Sequence, residues 1–326
     1  MPTRQEYPQF SDRNLRVEFR NSFEEAAAKT YIPSLSTFVK STREYESYAW
    51  LGTPPVMREW KGGRQIKKPT DFSWVIYNKK YEATIGLPIE DIERDTTGQF
   101  INWAQDLGQR AAENPVILMS NLLLNGETFV GFDGAAFWST SHDEGGGTNV
   151  NKITASLAAL GVTDTGTTTD PSPQAMSKII FKMIQQLMTF KDDQGQPVNQ
   201  TASNFAIVSG LGLMPAISAA VNQMIFAQGS QNPLMVTGNT NGGRRWNFET
   251  YFDPRLTWTT KLAIFRTDTP VKPFFHQVER DNRIVYQTDP NSDRVFERDE
   301  YAWGVSRIEG VGYGDYKKTV LATITS

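Results

Sequence analysis

The sequence predicts an α+β fold in which the core domain is discontinuous along the chain. Two observations lead to this prediction. Helical spacing of apolar residues dominates the middle of the chain, and short strand-like runs dominate its last third. The sequence contains neither an internal repeat nor a low-complexity linker that would separate independent domains.

Residues 1–48 are predicted to form an N-terminal arm. The segment begins polar and passes into a short helical piece at residues 23–29, after which Pro33 precedes another weakly periodic stretch. We expect an extended arm with helical turns.

Residues 49–92 hold two strand-like runs. Phe72, Trp74 and Ile76 recur at strand period, residues 81–87 return with the same period, and Asn78-Lys79-Lys80 supplies a turn between them. An isolated hairpin is only marginally stable in water, so its apolar side chains need cover from elsewhere. Either the chain's own core supplies that cover or a neighbouring subunit does.

A long helix is predicted at residues 97–125. Thr96 or Thr97 follows a dense acidic stretch and is a suitable N-cap. Asn114-Pro115 is expected to restart or kink this helix. Its apolar stripe has helical spacing and consists of Phe100, Ala104, Leu107 and Ala111.

The remaining elements alternate between helices and strands before the chain turns β-rich. Ser172-Pro173 is predicted to cap an amphipathic helix that gives the cleanest periodic signal in the chain. Its predicted core face is Met176, Ile179, Ile180, Met183, Ile184, Leu187 and Met188. A buried strand at 205–208, a helix at 214–226 and a loop at 229–245 follow, and the last strands are expected at 245–252, 261–266, 283–287, 301–308 and 317–324.

The composition is that of a globular protein with a substantial core. The chain has 326 residues, of which 39% are hydrophobic and 12% aromatic, and its net charge is −3. That charge gives no basic field for strong binding to nucleic acid or to an anionic membrane. There is no cysteine, no N-terminal signal core and no apolar run long enough to span a bilayer, so we expect a soluble product without disulfides.

The one candidate catalytic or metal cluster is His142-Asp143-Glu144, in a glycine-rich loop. Only one other histidine exists, His276, so a three-histidine zinc site is impossible and general bases are few. A solvated, mobile loop is the favoured interpretation. The glycine-rich segment 238–245 lacks the Lys-Ser/Thr of a phosphate loop, and residues 310–314 are expected to form a bulge or turn. No catalytic, cofactor-binding or metal-ligating residue is predicted.

The hairpin region is strongly basic and is followed by an acidic stretch at residues 90–95. Between residues 58 and 80 only Glu59 and Asp71 offset seven cations. Opposite patches of this kind pair within a chain or across subunits, and they also serve as an ordinary solvated surface. The cations are Arg58, Lys61, Arg64, Lys67, Lys68, Lys79 and Lys80.

Taken in order, several segments resemble the major head (capsid) protein of Mu-like phages and prophages, the gpT family, which has the Hong Kong 97-like fold. The resemblance covers most of the chain. The segments that carry it are Tyr48-Ala49-Trp50-Leu51-Gly52, Met57-Arg58-Glu59-Trp60-Lys61-Gly62-Gly63-Arg64, Asn78-Lys79-Lys80-Tyr81-Glu82-Ala83-Thr84-Ile85 leading to Ile89-Glu90-Asp91, Asp133-Gly134 with His142, and Asp299-Glu300-Tyr301 before Gly304-Val305 and Gly312-Tyr313-Gly314.

The resemblance implies how the chain is divided. It implies an N-terminal arm, an extended hairpin called the E-loop, a peripheral domain built on a long spine helix, and an axial domain whose loops meet at capsomer centres. The corresponding ranges are 1–48 for the arm, 49–92 for the E-loop region, 93–147 for the peripheral domain with the spine helix, 148–261 for the axial domain and 262–326 for strands that return to the peripheral domain. The E-loop would lie over an adjacent subunit.

The function expected from this resemblance is a structural protein that assembles with itself, as hexamers and pentamers, into an icosahedral shell around double-stranded DNA. DNA contact would be non-specific and weak, and no enzymatic activity, cofactor or membrane partner is expected. A separate scaffold, a portal and decoration proteins are the implied partners, with assembly in the bacterial cytoplasm and final location in the virion. Candidate inter-subunit contacts are Arg58, Trp60, Lys61, Arg64, Lys67, Lys68, Phe72, Trp74, Tyr77, Lys79, Lys80 and Tyr81.

Two alternatives remain open at this point. One is a hydrolase that uses His142 with Asp143 and Glu144. The other is a monomeric phage-associated binding module, in which the hairpin would fold back on its own core.

Overall fold

The computed structural model describes residues 12–51, 71–94, 99–143, 147–226, 229–236, 246–289 and 291–326. The helices are α1 (Asp12–Lys29), α2 (Ile32–Leu35), α3 (Ile89–Arg94), α4 (Gln99–Asn125), α5 (Pro173–Met188), α6 (Met214–Asn222), α7 (Pro233–Val236) and α8 (Asp293–Arg298). The strands are β1 (Ser36–Lys40), β2 (Tyr45–Leu51), β3 (Asp71–Tyr77), β4 (Lys79–Pro88), β5 (His142–Asp143), β6 (Thr148–Asn149), β7 (Lys152–Ser156), β8 (Asn204–Ser209), β9 (Asn247–Phe252), β10 (Lys261–Arg266), β11 (Phe274–Gln287), β12 (Glu300–Tyr313) and β13 (Thr319–Thr325).

A five-stranded mixed sheet with the order β7-β13-β10-β8-β9 forms the largest core. Alternate residues of β8 and β10 belong to two different apolar clusters, one on each face of the sheet. Phe205 and Ile264 pack with α5 and α6, whereas Val208 and Phe265 pack with α4. Both faces are therefore buried, which explains the continuous apolar runs in these strands.

The amphipathic helix predicted after Ser172 is confirmed as α5. The Ser172 hydroxyl accepts a hydrogen bond from the amide of Ala175, and Pro173 occupies the first turn. Its predicted core face is buried from Met176 to Leu187, with Met188 half-buried. The buried strand (β8) and the last five strands are also found. Helix α6 ends at Asn222, before the predicted end at Phe226, because the chain turns there.

The long helix is confirmed as α4, which continues through Pro115 without a break in the helix. Its predicted stripe is half-buried and flanks the fully buried face. That face is Gly108, Ala112, Pro115, Val116, Met119, Ser120 and Leu123. The difference arises because α4 is covered by two different partners, the five-stranded sheet near its end and α1 near its start.

The N-terminal segment packs on the chain itself more than the sequence indicated. Its helix begins at Asp12 and lies along α4, so closely that a Cβ on Gly108 would stand 2.5 Å from the carbonyl oxygen of Phe19. Strand β1 then joins a second sheet as a parallel neighbour of β11. The many charged residues in α1 obscure the helical spacing of its few apolar residues in the sequence. For this reason only its end was predicted to be helical.

The second sheet has four strands in the order β1-β11-β12-β4. Strands β11 and β12 form one long antiparallel hairpin, with α8 at its tip, and β4 pairs with β12 along its whole length. The last part of the chain thus contributes to both sheets, since β10 and β13 lie in the five-stranded sheet. Gly310 and Gly312 pair regularly with Gln277 and Phe275, so the bulge or turn predicted at residues 310–314 is wrong for these two glycines. The irregular register of the hairpin lies further along, between Val278 and Arg283 of β11, opposite residues 306–309 of β12.

The predicted hairpin between residues 72–77 and 81–87 is wrong. Strand β3 pairs with β2, and β4 belongs to the four-stranded sheet. Asn78 is not a turn tip, because it is buried where the chain passes from one layer to the other. Alternation of apolar residues sets which side chains share a face but does not choose the partner strand.

Candidate functional site

His142 is the first candidate that the structure settles. The side chain is completely buried. Its Nδ1 lies 2.5 Å from Asp133 Oδ2, and its Nε2 lies 3.1 Å from Asn151 Oδ1. The imidazole stacks on the ring of Tyr316 with 3.7 Å between centroids. The prediction of a solvated loop is therefore wrong for this residue.

This geometry gives His142 a structural role. Both ring nitrogens are engaged by neighbouring side chains, and the ring faces are enclosed, so the imidazole has no free position for a substrate proton. Asp143 is exposed on β5, and Glu144 lies outside the described residues. Among the residues that the structure describes, no group of three or more His, Cys, Asp or Glu side chains could hold a metal ion.

The other histidine, His276, belongs to a buried ion cluster between α4 and the four-stranded sheet. Its Nε2 lies 2.8 Å from Oε2 of Glu309, which is completely buried. Arg307 Nε lies 3.0 Å from the same oxygen, and Asn114 Nδ2 donates to Oε1 at 2.6 Å. Sequence reasoning missed this cluster, because Asn114, His276 and Glu309 are far apart in the chain. They meet only when β11 pairs with β12 and α4 packs on β12.

The two-stranded ribbon of β2 and β3 lies across the opposite face of this sheet. Tyr48 stacks on Phe275 with ring centroids 4.2 Å apart, and its hydroxyl donates to Gln277 Oε1 at 2.9 Å. Burial, with a smaller contribution from Glu46, raises the pKa of Tyr48 to about 12. The Gln277 amide in turn donates to the Ile76 carbonyl and to Asn78 Oδ1, both at 2.8 Å. The base of the ribbon is thus clamped onto its own chain.

Two glycines of β12 make room for the ribbon. A Cβ on Gly312 would stand 2.6 Å from Ile76 Cγ1, and a Cβ on Gly310 would stand 2.5 Å from the Tyr77 carbonyl oxygen. Any side chain at these positions would lift the ribbon from the sheet. We call this surface, formed by Phe275, Gln277, Gly310 and Gly312, the ribbon seat.

The outer face of the ribbon is open. Tyr45 and Tyr77 are cross-strand partners with ring centroids 5.6 Å apart, and they are 48% and 60% exposed. Aromatic pairs on a strand surface are usually packed, because they bury large apolar areas. An exposed pair on a firmly seated ribbon is therefore a candidate contact for another molecule.

The structure separates the predicted contact residues into three groups. Arg58, Trp60, Lys61, Arg64, Lys67 and Lys68 lie outside the described residues, as does the side chain of Phe72. Trp74 packs on the chain's own core, and Tyr81 is half-buried beside Arg307. Tyr77, Lys79 and Lys80 are exposed. Sequence reasoning missed Tyr45. Its two-residue spacing from Ser47 is the strand period that places both side chains on one face of β2.

One further surface is exposed at the end of the β11–β12 hairpin. Phe296 on α8 is 91% exposed, the most of the large apolar side chains described. Strand β4 forms one edge of the same sheet, with alternate residues open on both faces. None of the described helices is long and apolar enough to cross a membrane.

The sequence matches a family model described as the Mu-like prophage major head subunit gpT over residues 11–168 and 257–323. The major capsid protein of Escherichia phage Mu is 32% identical over 127 residues, which cover 39% of this chain and 41% of that protein. The FluMu major head subunit of Haemophilus influenzae is 32% identical over 144 residues, which cover 43% of this chain and 47% of that protein. The chain thus matches less than half the length of these two relatives.

The fold is also found in solved phage shells. The structure aligns with a chain from the procapsid of bacteriophage JBD30 with a TM-score of 0.50 and 21% identity, covering 96% of this chain and 74% of that chain. The architecture is that of Hong Kong 97-like capsid proteins, as the sequence predicted.

Proposed function

The chain belongs to the Mu-like prophage major head subunit gpT family, and from this premise we propose that it is the major capsid protein of a tailed phage. The observation that carries the proposal is the range of the family match. It covers both separate segments that build the four-stranded sheet, α4 and the seated ribbon. The four-stranded sheet, α4 and the ribbon are therefore shared with the family, and we propose that they build the shell.

The seated ribbon supports assembly through an arm. The structure covers its inner face with the chain's own sheet, while the outer face presents Tyr45 and Tyr77 to solvent. The basic residues from Arg58 to Lys68 lie between β2 and β3 in the sequence. We propose that the arm lies on an adjacent subunit and that the outer face is covered there. On this proposal, the chain's own sheet covers the inner face of the ribbon and a neighbouring subunit covers the rest, so both alternatives that the sequence left open would apply.

The two sheets support a division of labour within the subunit. We propose that residues 148–261, which supply β7, β8, β9, α5 and α6 to the five-stranded layer, form the axial domain. Helix α4 would be the spine of the peripheral domain at 93–147. Of the strands at 262–326, β11 and β12 would return to that domain, whereas β10 and β13 would join the two domains through the five-stranded sheet.

The remaining partners follow from the shell. We propose hexamers and pentamers of this chain around double-stranded DNA, assembled in the host cytoplasm with a separate scaffold, a portal and decoration proteins. A mild net charge of −3 suits a container that confines DNA without binding its phosphates tightly. The role needs no catalysis, in keeping with the structural placement of His142.

Electron microscopy with light scattering on the purified chain, expressed alone and together with its scaffold, tests the proposal. Closed shells, tubes or capsomer-sized rings are expected. A strictly monomeric particle at every concentration and salt would overturn the capsid function and favour a monomeric binding module.

A matched pair of variants tests the arm. Tyr77→Asp places a charge on the outer face of the ribbon and should reduce shell yield while the subunit unfolds at an unchanged temperature. Tyr77→Phe keeps the aromatic surface and should assemble as the parent does. Equal shell yields from both variants would show that the outer face of the ribbon is not part of an assembly contact.

A further inference from the structure

A buried cluster of charged side chains lies where β10, the start of β13 and the segment before β8 meet. Four of its charged members are 7% exposed or less, namely Arg266, Asp315, Lys317 and Lys318. The amide side chain of Asn199, which lies among them, is completely buried. Charged side chains are rarely buried unless they are paired, so the arrangement of this cluster decides what it can do.

Hydrogen bonds hold the carboxamide of Asn199 in one orientation. Its Nδ2 donates to the carbonyls of Leu187 and Lys317, both at 2.8 Å. Its Oδ1 accepts from Nη1 of Arg266 at 3.1 Å, and Nζ of Lys318 lies 3.4 Å from the same oxygen. A primary amine is therefore held beside a fixed amide group.

The surroundings of Lys318 favour the unprotonated amine. Burial lowers the pKa of Lys318; Asp315 opposes this effect, whereas the positive charges of Arg266 and Lys317 add to it. Oδ2 of Asp315 lies 3.8 Å from Nζ. A lysine that is desolvated and placed near other cations is more readily a nucleophile, because its lone pair is not held by a proton.

The other groups of the cluster match what attack on an amide requires. The Arg266 guanidinium, bonded to Oδ1 of Asn199, draws electron density from Cγ and stabilises negative charge on that oxygen. The Asp315 carboxylate is placed to accept a proton from Nζ. Burial also keeps water away from the amide, which protects a new bond from hydrolysis.

We propose that Lys318 and Asn199 join in an amide bond within one subunit, with the loss of ammonia. Nζ of Lys318 adds to Cγ of Asn199, and the carbonyl electron pair moves to Oδ1 beside Arg266. Asp315 takes one proton from Nζ and passes it to Nδ2. The Cγ–Nδ2 bond then breaks, the carbonyl re-forms, and ammonia leaves. No atom is oxidised or reduced, and the step needs no reagent from outside the chain.

The bond would be a covalent staple in a chain that has no cysteine. It would connect residues 119 positions apart and tie the segment after α5 to the start of β13, which limits the freedom of the unfolded chain. Lys318 lies within the family match, whereas Asn199 lies in residues 169–256, which the match leaves out. Because both residues belong to one chain, the bond would form in a free subunit as well as in a shell.

The intact mass of the purified full-length chain tests the proposal. The parent chain should be lighter than its sequence mass by one ammonia molecule, and a protease digest should contain a branched peptide that joins Lys318 to Asn199. Lys318→Arg is the matched control, because it keeps the positive charge but has no amine to form the bond. Cyclisation of an asparagine elsewhere also releases ammonia, and it would persist in this variant.

A parent chain with the same mass deficit as Lys318→Arg, or with none, would overturn the proposal. This result does not depend on assembly. Particles built from chains without the bond would therefore contradict the staple alone, whereas stapled chains that never form particles would contradict the proposed capsid function alone.

The role of Asp315 is tested by the rate of bond formation. In chains made by a short cell-free synthesis, the fraction that has lost ammonia should rise with time, and Asp315→Asn should slow this rise at least about a hundredfold. Asp281→Asn, which changes an exposed carboxylate paired with Lys40, should leave the rate unchanged. Circular dichroism checks that both variants are folded. A folded Asp315→Asn chain that forms the bond at the parent rate would overturn the role of Asp315 as the base.

Discussion

The two sheets of this subunit are stabilised in different ways. The five-stranded sheet is enclosed on both faces by apolar side chains from α4, α5 and α6. The four-stranded sheet is held where it meets the rest of the subunit by specific polar contacts: the Glu309 cluster beneath it and the ribbon seat above it. Its outer part, formed by β4 and the ends of β11 and β12, is largely exposed.

The difference teaches how one chain can serve both as a rigid block and as an assembling surface. Apolar burial on two faces gives stability that does not depend on any single contact. Polar and glycine contacts fix direction instead, because each works only in one geometry. The four-stranded sheet can thus leave its edges and outer strands open and still hold the ribbon in a defined orientation.

The largest expected effect is from removing the buried carboxylate in the four-stranded sheet. Glu309→Ala would leave His276 and Asn114 without their shared acceptor and Arg307 without its ion-pair partner, and we expect a loss of about 3–5 kcal/mol in the free energy of unfolding. Urea denaturation measures it. Glu297→Ala, an exposed carboxylate on α8, should have almost no effect. Similar losses in both variants would show that the sheet does not depend on this cluster.

A second pair compares apolar burial in the two sheets directly. Ile264→Ala removes a fully buried side chain from the five-stranded sheet and should cost about 2–5 kcal/mol. Val285→Ala, on the exposed end of β11, should change the unfolding free energy by less than about 0.5 kcal/mol. Thermal unfolding of the free subunits provides the comparison. A large effect at Val285 would mean that the outer strands are not independent of the core.

The ribbon seat is tested by adding one methyl group. Gly312→Ala should cost about 1–3 kcal/mol, because Ile76 and the ribbon must move, and shell yield should fall with it. Gly304→Ala in the same strand is the matched control, since its new Cβ would stand 3.1 Å from a Thr84 hydroxyl that can rotate. Unchanged assembly of Gly312→Ala would mean that the seat does not set the direction of the arm.

The smallest expected effect concerns acid. Burial opposes ionisation of Glu127, but its ion pairs with Lys152 and Lys261 outweigh burial and hold its pKa below the ordinary 4.5. The folded state therefore binds the proton less readily than the unfolded state, so this stabilisation is present above pH 4.5 and is lost as the pH falls through the folded pKa.

Unfolding temperatures measured from about pH 6 down to about pH 3, on either side of the ordinary glutamate pKa of 4.5, test this linkage. Glu127→Gln should show a shallower loss of stability on acidification, and Lys152→Gln should lie between it and the parent chain. Identical pH slopes in all three proteins would exclude a contribution from Glu127.

Much of the helical structure could be predicted from sequence alone. Helix α5 combines an N-cap, a proline in the first turn and an apolar stripe, and these local signals all agree. Helix α4 was predicted with its length nearly correct, although its buried face is shifted towards Gly108 and Ala112. Helix α1 was predicted only in part, because it becomes amphipathic only in relation to α4.

The candidate site was much less predictable. His142 carries the same local sequence whether it is solvated, catalytic or buried, and only the approach of Asp133, Asn151 and Tyr316 decides among these. The ribbon seat depends in the same way on glycines of β12 that lie more than two hundred residues after the ribbon. No local pattern reports a contact of that kind.

The sequence by itself determined the class of fold, the helices with strong periodicity, the alternation within the strands and the family. These properties depend on short-range chemistry: capping, side-chain period and residue order. The tertiary structure decided which strands pair, which aromatic residues remain exposed, and that both histidines are structural. Those outcomes depend on packing between distant segments, where a strand's partner is chosen by the shape and hydrogen bonds of a surface that forms only when the chain folds.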